Sequence, residues 1–392
     1  MKASIKKHLI LAVKLIIAAG LLWLIFSKVH WNNYVVVKGT GKTLIALRQS
    51  DEGVVVDTHQ DDSLPETIAF DLLESTTGTD GEHQYIYPGF KTSLLSIDRG
   101  FALAGVGVFV ASMLVLAFRW RYVLSIQDVH ITVWVAIRLS FLGFFFNNVI
   151  PGTVGGDVFK AWHVGKQTGH KAGAFLSVLV DRGLGSLGLC TTATVMLVIT
   201  LLTGLESFSR LRVAATSIIC IFSALIVIGV FLFSPKLRKL CRIQKLYAKL
   251  PIAHHFEAAG QAAMAYQNHP GKLVVALCIA ASGHLCFIMA FMLLGMGLGI
   301  PTPWFSYFLY IPMIYVIGSA PVTPGGIGLI EGLFVTFFAV GAAGASGVLV
   351  LALFGRLLPI LLSLPGLGVF LMGPKTPDAE TVRQEMENAV DD

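Results

Sequence analysis

The sequence predicts an all-α polytopic membrane protein. It would have about six full transmembrane helices plus two re-entrant helical hairpins as a candidate inverted repeat, with a small β-rich extracytoplasmic insert. Three observations carry this reading. First, 55% of the 392 residues are hydrophobic and only 13% are charged, with a mean hydropathy of +0.75, whereas soluble domains carry roughly 25% charge. Second, the charge is confined to a few stretches between long apolar runs, and Lys and Arg flank those runs. The net charge of +6 therefore reads as a topology signal and not as a nucleic-acid footprint. Third, two apolar runs are interrupted by Pro and Gly and then end on a carboxylate. Broken backbone at membrane depth is tolerated only where protein buries it or water reaches it.

Taken in order, Lys2, Lys6 and Lys7 precede an apolar run from Leu9 to Phe26, which defines an N-terminal anchor over 1–27. A cleaved signal peptide is the rival reading. A cut near Ala18-Ala19-Gly20 would leave the apolar stretch Leu21 to Phe26 as a new terminus, so the uncleaved anchor is expected. Residues 28–99 form a polar insert in which Val35 to Val37, Thr43 to Leu47 and Val54 to Val56 are separated by Gly, Ser and Asp clusters, the pattern of short strands. The insert is acidic, through Asp51, Glu52, Asp57, Asp61, Asp62, Glu66, Asp71, Glu74, Asp80 and Glu82, and the terminus before it is basic. That asymmetry places the insert outside and the N-terminus in the cytoplasm. Gly39 to Thr43 spells GTGKT, but a phosphate loop needs Gly where Val36 stands, so this is a turn.

The membrane domain spans 100–372. Its apolar runs are Phe101 to Phe118, Ile131 to Ile150, Ala172 to Leu202, Val213 to Phe233, Leu273 to Leu298, Trp304 to Ala320, Leu329 to Val340 and Val348 to Met372. Some are too short to cross alone. The loop 234–272 holds Lys236, Arg238, Lys239, Arg242, Lys245, Lys249 and Lys272 and is expected in the cytoplasm, where it would suit an amphipathic surface helix. Arg119 and Arg121 end a helix on the same side, and Lys160, Lys166 and Lys171 also belong there. Ile131 to Gly156 must then enter and return. By the same logic Trp304 to Val340 dips in from the outer face, and the acidic tail 373–392 lies inside. Both termini are expected in the cytoplasm. None of the five cysteines forms a CxxC pair and four lie in apolar runs, so they read as small hydrophobes.

The two broken segments carry the candidate site. One runs Asn147-Asn148-Val-Ile-Pro151-Gly152-Thr-Val-Gly155-Gly156-Asp157, the other Pro321-Val-Thr323-Pro324-Gly325-Gly326-Ile-Gly328-Leu-Ile-Glu331. Asp157 is followed 25 residues later by Arg182, and Glu331 at the same distance by Arg356. The predicted topology makes the halves inverted, as in secondary transporters whose paired broken helices frame a substrate site. Arg182 lies roughly 15 Å past Lys171 at helical rise, near mid-bilayer, where a lone charge costs a few kcal/mol. It needs a partner or a polar path. The bland alternative is that Pro and Gly only shape hairpins while the charges snorkel to interfaces.

The Pro-Gly-x-x-Gly-Gly-Asp segment with Lys160, the Asp181-Arg182 pair, the Pro-Gly-Gly-x-Gly-x-x-Glu segment and Arg356 resemble a flippase-like integral membrane family. It includes the transmembrane region of lysylphosphatidylglycerol synthases and of some archaeal dolichol-phosphate glycosyltransferases. The resemblance runs from about Phe101 to Met372, and the second segment is its most specific element. The chain departs from the pattern in its polar insert, in Lys160 where the family more often has Arg, and in lacking a soluble catalytic domain. Aminoacyl transfer is therefore not implied.

The resemblance implies movement or binding of a lipid with an anionic head group, either a phospholipid or a polyprenyl-phosphate-linked lipid. Asp157, Arg182, Glu331 and Arg356 would line a hydrated groove. The arginines would hold phosphate bidentately. The carboxylates would neutralise them when no lipid is bound, or take up protons. Asn147, Asn148 and Thr323 would add neutral hydrogen bonds, and the backbone around Pro151, Gly155, Gly156, Pro324, Gly325 and Gly326 would approach the ligand closely.

Two other classes stay open. One is a scaffold that recruits a protein partner through the insert, with Trp31, Tyr34, Tyr85 and Tyr87 as contacts or interfacial anchors; deleting the insert would spare a flippase and abolish a scaffold. The other is a membrane-embedded enzyme using paired carboxylates. No metal pattern supports it: His163 and His170 are seven apart, His254 and His255 are adjacent, and no HExxH occurs. No cofactor is expected, the partners are membrane lipids, and the location is the cell membrane.

Overall fold

Helices dominate because the long apolar runs leave a backbone no other way to satisfy its polar groups. The computed structural model describes residues 30–40, 42–57, 65–77, 83–149, 155–204, 208–233, 265–319, 322–338 and 345–372, with Ile16, Gly20 and Trp23. The anchor over 1–27, most of the basic loop 234–272, the tail 373–392 and Pro151 lie outside the described residues, apart from those three positions in the anchor.

Among the described residues, four helices are long and apolar enough to cross a membrane, within Arg99–Ser125, Lys171–Thr203, Pro270–Gly297 and Ser346–Leu371. In chain order the helices are α1 (Phe90–Leu95), α2 (Arg99–Ser125), α3 (Val133–Val149), α4 (Gly155–Thr168), α5 (Lys171–Thr203), α6 (Phe208–Phe233), α7 (Pro270–Gly297), α8 (Trp304–Gly318), α9 (Leu329–Phe338) and α10 (Ala345–Met372). The long helices leave Leu103, Phe118, Leu179, Leu202, Val274 and Leu361 exposed. Apolar surface of that extent suits contact with lipid and not with water.

The chain divides into two compact units. One comprises residues 1–107 and 288–357, the other 108–287 and 358–392. The first unit holds the polar insert as an antiparallel meander of β1 (Tyr34–Val36), β2 (Thr43–Gln49), β3 (Gly53–Asp57) and β4 (Glu66–Ala69) in the order β1-β2-β3-β4. Its register pairs Val35 with Leu44 and Val54 with Ile68, with an irregularity between Ala46 and Arg48. Val35, Ala46, Val54, Val56 and Leu73 form its core. Tyr34 bridges to Tyr87, whose ring stacks on it at 5.3 Å. Three strands with one apolar face are enough for a sheet to hold together. In the helical part of this unit, Phe291, Tyr315, Phe334, Phe338, Tyr307 and Tyr310 pack as an aromatic cluster.

In the second unit, Trp120, Leu124, Leu139, Leu142, Ala161, Val164, Ala174 and Val178 join α2, α3, α4 and α5 around one core. Helices α3 and α4 are both short. They fold onto each other at Gly143 and Gly156, where a methyl group on Gly156 would collide with the Gly143 backbone.

Candidate functional site

The two broken segments build the same local device. Asp157 and Glu331 each occupy the third position and first turn of a short helix, α4 and α9. Carboxylates are favoured there because unpaired N-H groups give a helix N-terminus partial positive charge. Each carboxylate meets the arginine 25 residues on, carried by the next helix, α5 or α10.

In the first device Asp157 is nearly buried and binds two cations. One carboxylate oxygen takes the Arg182 guanidinium through Nε and Nη2; the other lies 3.0 Å from Lys160 Nζ. Lys160 is itself buried and sits 4.5 Å over the Trp120 ring, a contact that offsets part of its desolvation. Lys160 and Arg182 thus meet on one carboxylate. Asn147, at the end of α3, accepts the Gly156 N-H at 3.2 Å and so ties the helix ends together across the break. Asn148 is exposed. Gly155 opens α4.

In the second device Glu331 is 3% exposed, so its charge has to be matched locally. Arg356 Nε donates to Oε1 at 2.6 Å, and the Gly328 N-H donates to Oε2 at 2.7 Å, so the carboxylate reaches back to cap its own helix. Arg356 Nη1 also donates to the Gly325 carbonyl at 2.6 Å. Pro324 to Gly326 form a single 3-10 turn, with Thr323 as its N-cap. Gly325 and Gly326 adopt φ of 59° and 68°, left-handed values that side chains resist. Thr323 Oγ1 and Arg356 Nη2 are buried and meet no hydrogen-bonding partner among the described residues. Buried polar atoms without partners are uncommon and call for an explanation.

A third ion pair, also buried, lies in the second unit. Arg119 was expected at a cytoplasmic helix end, but it binds Asp181 bidentately at 2.7 and 3.1 Å, with both residues under a tenth exposed. The guanidinium lies against Gly185, whose carbonyl is 2.9 Å from His284 Nε2. The signal in the sequence is an acid inside one apolar run, Asp181, and a base at the end of another, Arg119. Arg182 and Asp181 are sequence neighbours, so the Arg119 bond fixes the rotation of α5 and thereby the face on which Arg182 meets Asp157. Among the described residues no three His, Cys, Asp or Glu side chains converge as a metal site would require.

A sequence profile described as the lysylphosphatidylglycerol synthase TM region matches residues 89–366, well over half of the 392-residue chain. The chain belongs to this family. The match takes in both devices and the Arg119 pair and leaves out the strands of the insert, so the membrane helices carry the family's pattern. No curated protein and no solved structure matches the chain. As a member of the lysylphosphatidylglycerol synthase TM region family with four long apolar helices, it is a multi-pass membrane protein.

Proposed function

We propose that this protein moves a lipid with an anionic head group, a phospholipid or a polyprenyl-phosphate-linked lipid, across the cell membrane. The observation that carries the reading is the twofold occurrence of one device: a broken segment, a first-turn carboxylate and an arginine in the next helix. An arginine held by a carboxylate at membrane depth is a phosphate site in waiting. The head group replaces the carboxylate on the guanidinium fork while its tails stay in lipid. The unpartnered Thr323 Oγ1 and Arg356 Nη2 supply further donors at the second device. Lys160 and Arg182, which meet on one carboxylate, supply the cations for anion capture at the first. Asn147, Asn148 and the backbone around Gly155, Gly156, Pro324, Gly325 and Gly326 complete the two head-group sites.

The membrane arrangement that goes with this function follows the charge rule. Six helices cross fully: the N-terminal anchor, α2, α5, α6, α7 and α10. The pair α3 and α4 re-enters from the cytoplasmic face, and α8 and α9 dip from the outer face, so the halves are an inverted repeat. The insert is extracytoplasmic and both termini are cytoplasmic. Helices α3 and α9, with 17 and 10 residues, are shorter than the roughly 20 residues that a crossing takes.

The test uses purified full-length protein in liposomes containing fluorescent phosphatidylglycerol, phosphatidylcholine or a polyprenyl phosphate, with leaflet exchange read by quenching. Exchange of the anionic lipids is expected for wild type and at least about tenfold slower for Arg182→Ala and for Glu331→Gln, each checked for folding. Exchange indifferent to both substitutions would sink the two devices as the site. Exchange of no lipid would turn the reading toward a scaffold acting through the insert.

A further inference from the structure

Beside the first device, α3, α4 and the end of α10 enclose a partly open pocket of about 190 Å³ that the ion pairs do not use. It is amphipathic in a definite order. Arg138 on α3 and His163 and Gln167 near the end of α4 supply its polar lining, and Leu142, one turn after Arg138, Phe159, one turn before His163, and Phe370 on α10 supply apolar lining. Phe159 and Phe370 both pack on Phe146, at 5.7 and 5.3 Å between ring centres, so the apolar wall is rigid. No carboxylate lines the pocket. The Arg138 side chain makes no hydrogen bond or ion pair with any described residue. His163 Nε2 and Gln167 Nε2 are 3.0 Å apart and hold each other in place. A guanidinium without a partner among the described residues, set beside an apolar slot, is complemented by an anion that carries a hydrocarbon chain.

We propose that this pocket binds one anionic phospholipid from the cytoplasmic leaflet, with its phosphate on Arg138, His163 and Gln167 and the start of an acyl chain on Leu142, Phe159 and Phe370. This deepens the transport reading and rests on it for the leaflet. The pocket is smaller than the about 300–1,000 Å³ that encloses a whole drug-sized molecule, so it takes the phosphodiester and the first methylenes while the rest of the lipid stays in the bilayer. Along α4, His163 lies six residues from Asp157, roughly 9 Å at helical rise. The pocket is thus a waiting position one step from Lys160 and Arg182.

The experiment uses full-length protein in nanodiscs with phosphatidylglycerol bearing a photoreactive group near the top of one acyl chain, the matching phosphatidylcholine, and free glycerol phosphate as competitor. Labelled peptides are mapped by mass spectrometry. The expected result is labelling of the segments holding Leu142 and Phe370 by phosphatidylglycerol, about tenfold above phosphatidylcholine and falling about tenfold in Arg138→Gln. Arg138 is exposed, so that variant should fold. Leu142→Trp, which fills the apolar part, should lose labelling with Arg138 intact. Labelling indifferent to Arg138→Gln, or equal for both lipids, overturns the proposal. Displacement by glycerol phosphate overturns the lipid assignment. Leaflet exchange measured on the same protein variants in liposomes separates the two readings. Arg138-dependent labelling without exchange leaves the pocket standing and sinks transport, and exchange with Arg138-independent labelling does the reverse.

Discussion

The two carboxylate-arginine devices share their spacing and first-turn carboxylate and differ in what holds the pair in place. Asp157 is held by two side-chain cations, Arg182 and Lys160, whereas Glu331 is held by one, Arg356, and by the Gly328 N-H. The residue before Arg182 is Asp181, itself locked to Arg119; the residue before Arg356 is Gly355, which packs on Phe291 and Tyr315. One device is therefore set by charge and the other by backbone capping and aromatic packing. The spacing carries the chemistry, while the means of orienting the arginine is free to vary.

The sharpest way to break this contrast is to remove the anchor that only the first device has. Arg119→Gln leaves Asp181 buried without its partner, and losing one member of a buried pair costs about 3–5 kcal/mol. A markedly lower thermal unfolding temperature is expected, with faster amide exchange along α5. The double variant Arg119→Gln/Asp181→Asn should recover most of the loss, because no charge is then stranded. Unchanged unfolding in the single variant would mean that the pair does not hold α5.

Next in size is the response of the two carboxylates to neutralisation. Asp157→Asn leaves Lys160 and Arg182 facing each other as like charges. With the Arg182 side chain 43% exposed, solvent screening limits the loss to about 2–3 kcal/mol. Glu331→Gln keeps one acceptor oxygen where Arg356 Nε and the Gly328 N-H each have their own, so one of the two donors is stranded and about 1–3 kcal/mol is expected. Lys160→Met should rescue Asp157→Asn in a double-mutant cycle on unfolding temperature. Equal losses at the two sites, without rescue, would contradict the different charge counts.

How much of this could be read from the chain depends on whether the signal is local. The long apolar helices follow from composition, and the strands from short β-branched runs such as Val54 to Val56. The Pro and Gly breaks, and the carboxylates just after them, stand out because they interrupt otherwise apolar runs twice in the same order. Arg119 did not stand out, since an arginine six residues from a helix end looks the same in sequence whether it snorkels outward or turns inward. That choice is made by the rotation of α2 against α5, a tertiary fact. The pocket at Arg138 was missed for the same reason. Its lining comes from three helices, and each contributes an ordinary-looking face.

The smallest expected effects test whether packing orients the two arginines to different degrees. Gly156 sits against backbone atoms of Gly143, which have no freedom to move aside, and Gly156→Ala would force α3 and α4 apart. Overpacking of this kind costs about 1–3 kcal/mol, and Asp157, one residue on, would shift from Arg182. At Gly355 an added methyl would lie 2.8 Å from Phe291 Cζ and from Tyr315 Oη, both at the tips of side chains. Those rings can tilt, so Gly355→Ala should cost under about 1 kcal/mol and leave the Arg356 to Glu331 bond in place. Thermal unfolding of both variants, paired with lipid exchange, gives the comparison directly. A larger loss at Gly355 than at Gly156 would mean that the aromatic cluster, and not the helix contact beside Asp157, is the stiffer of the two supports.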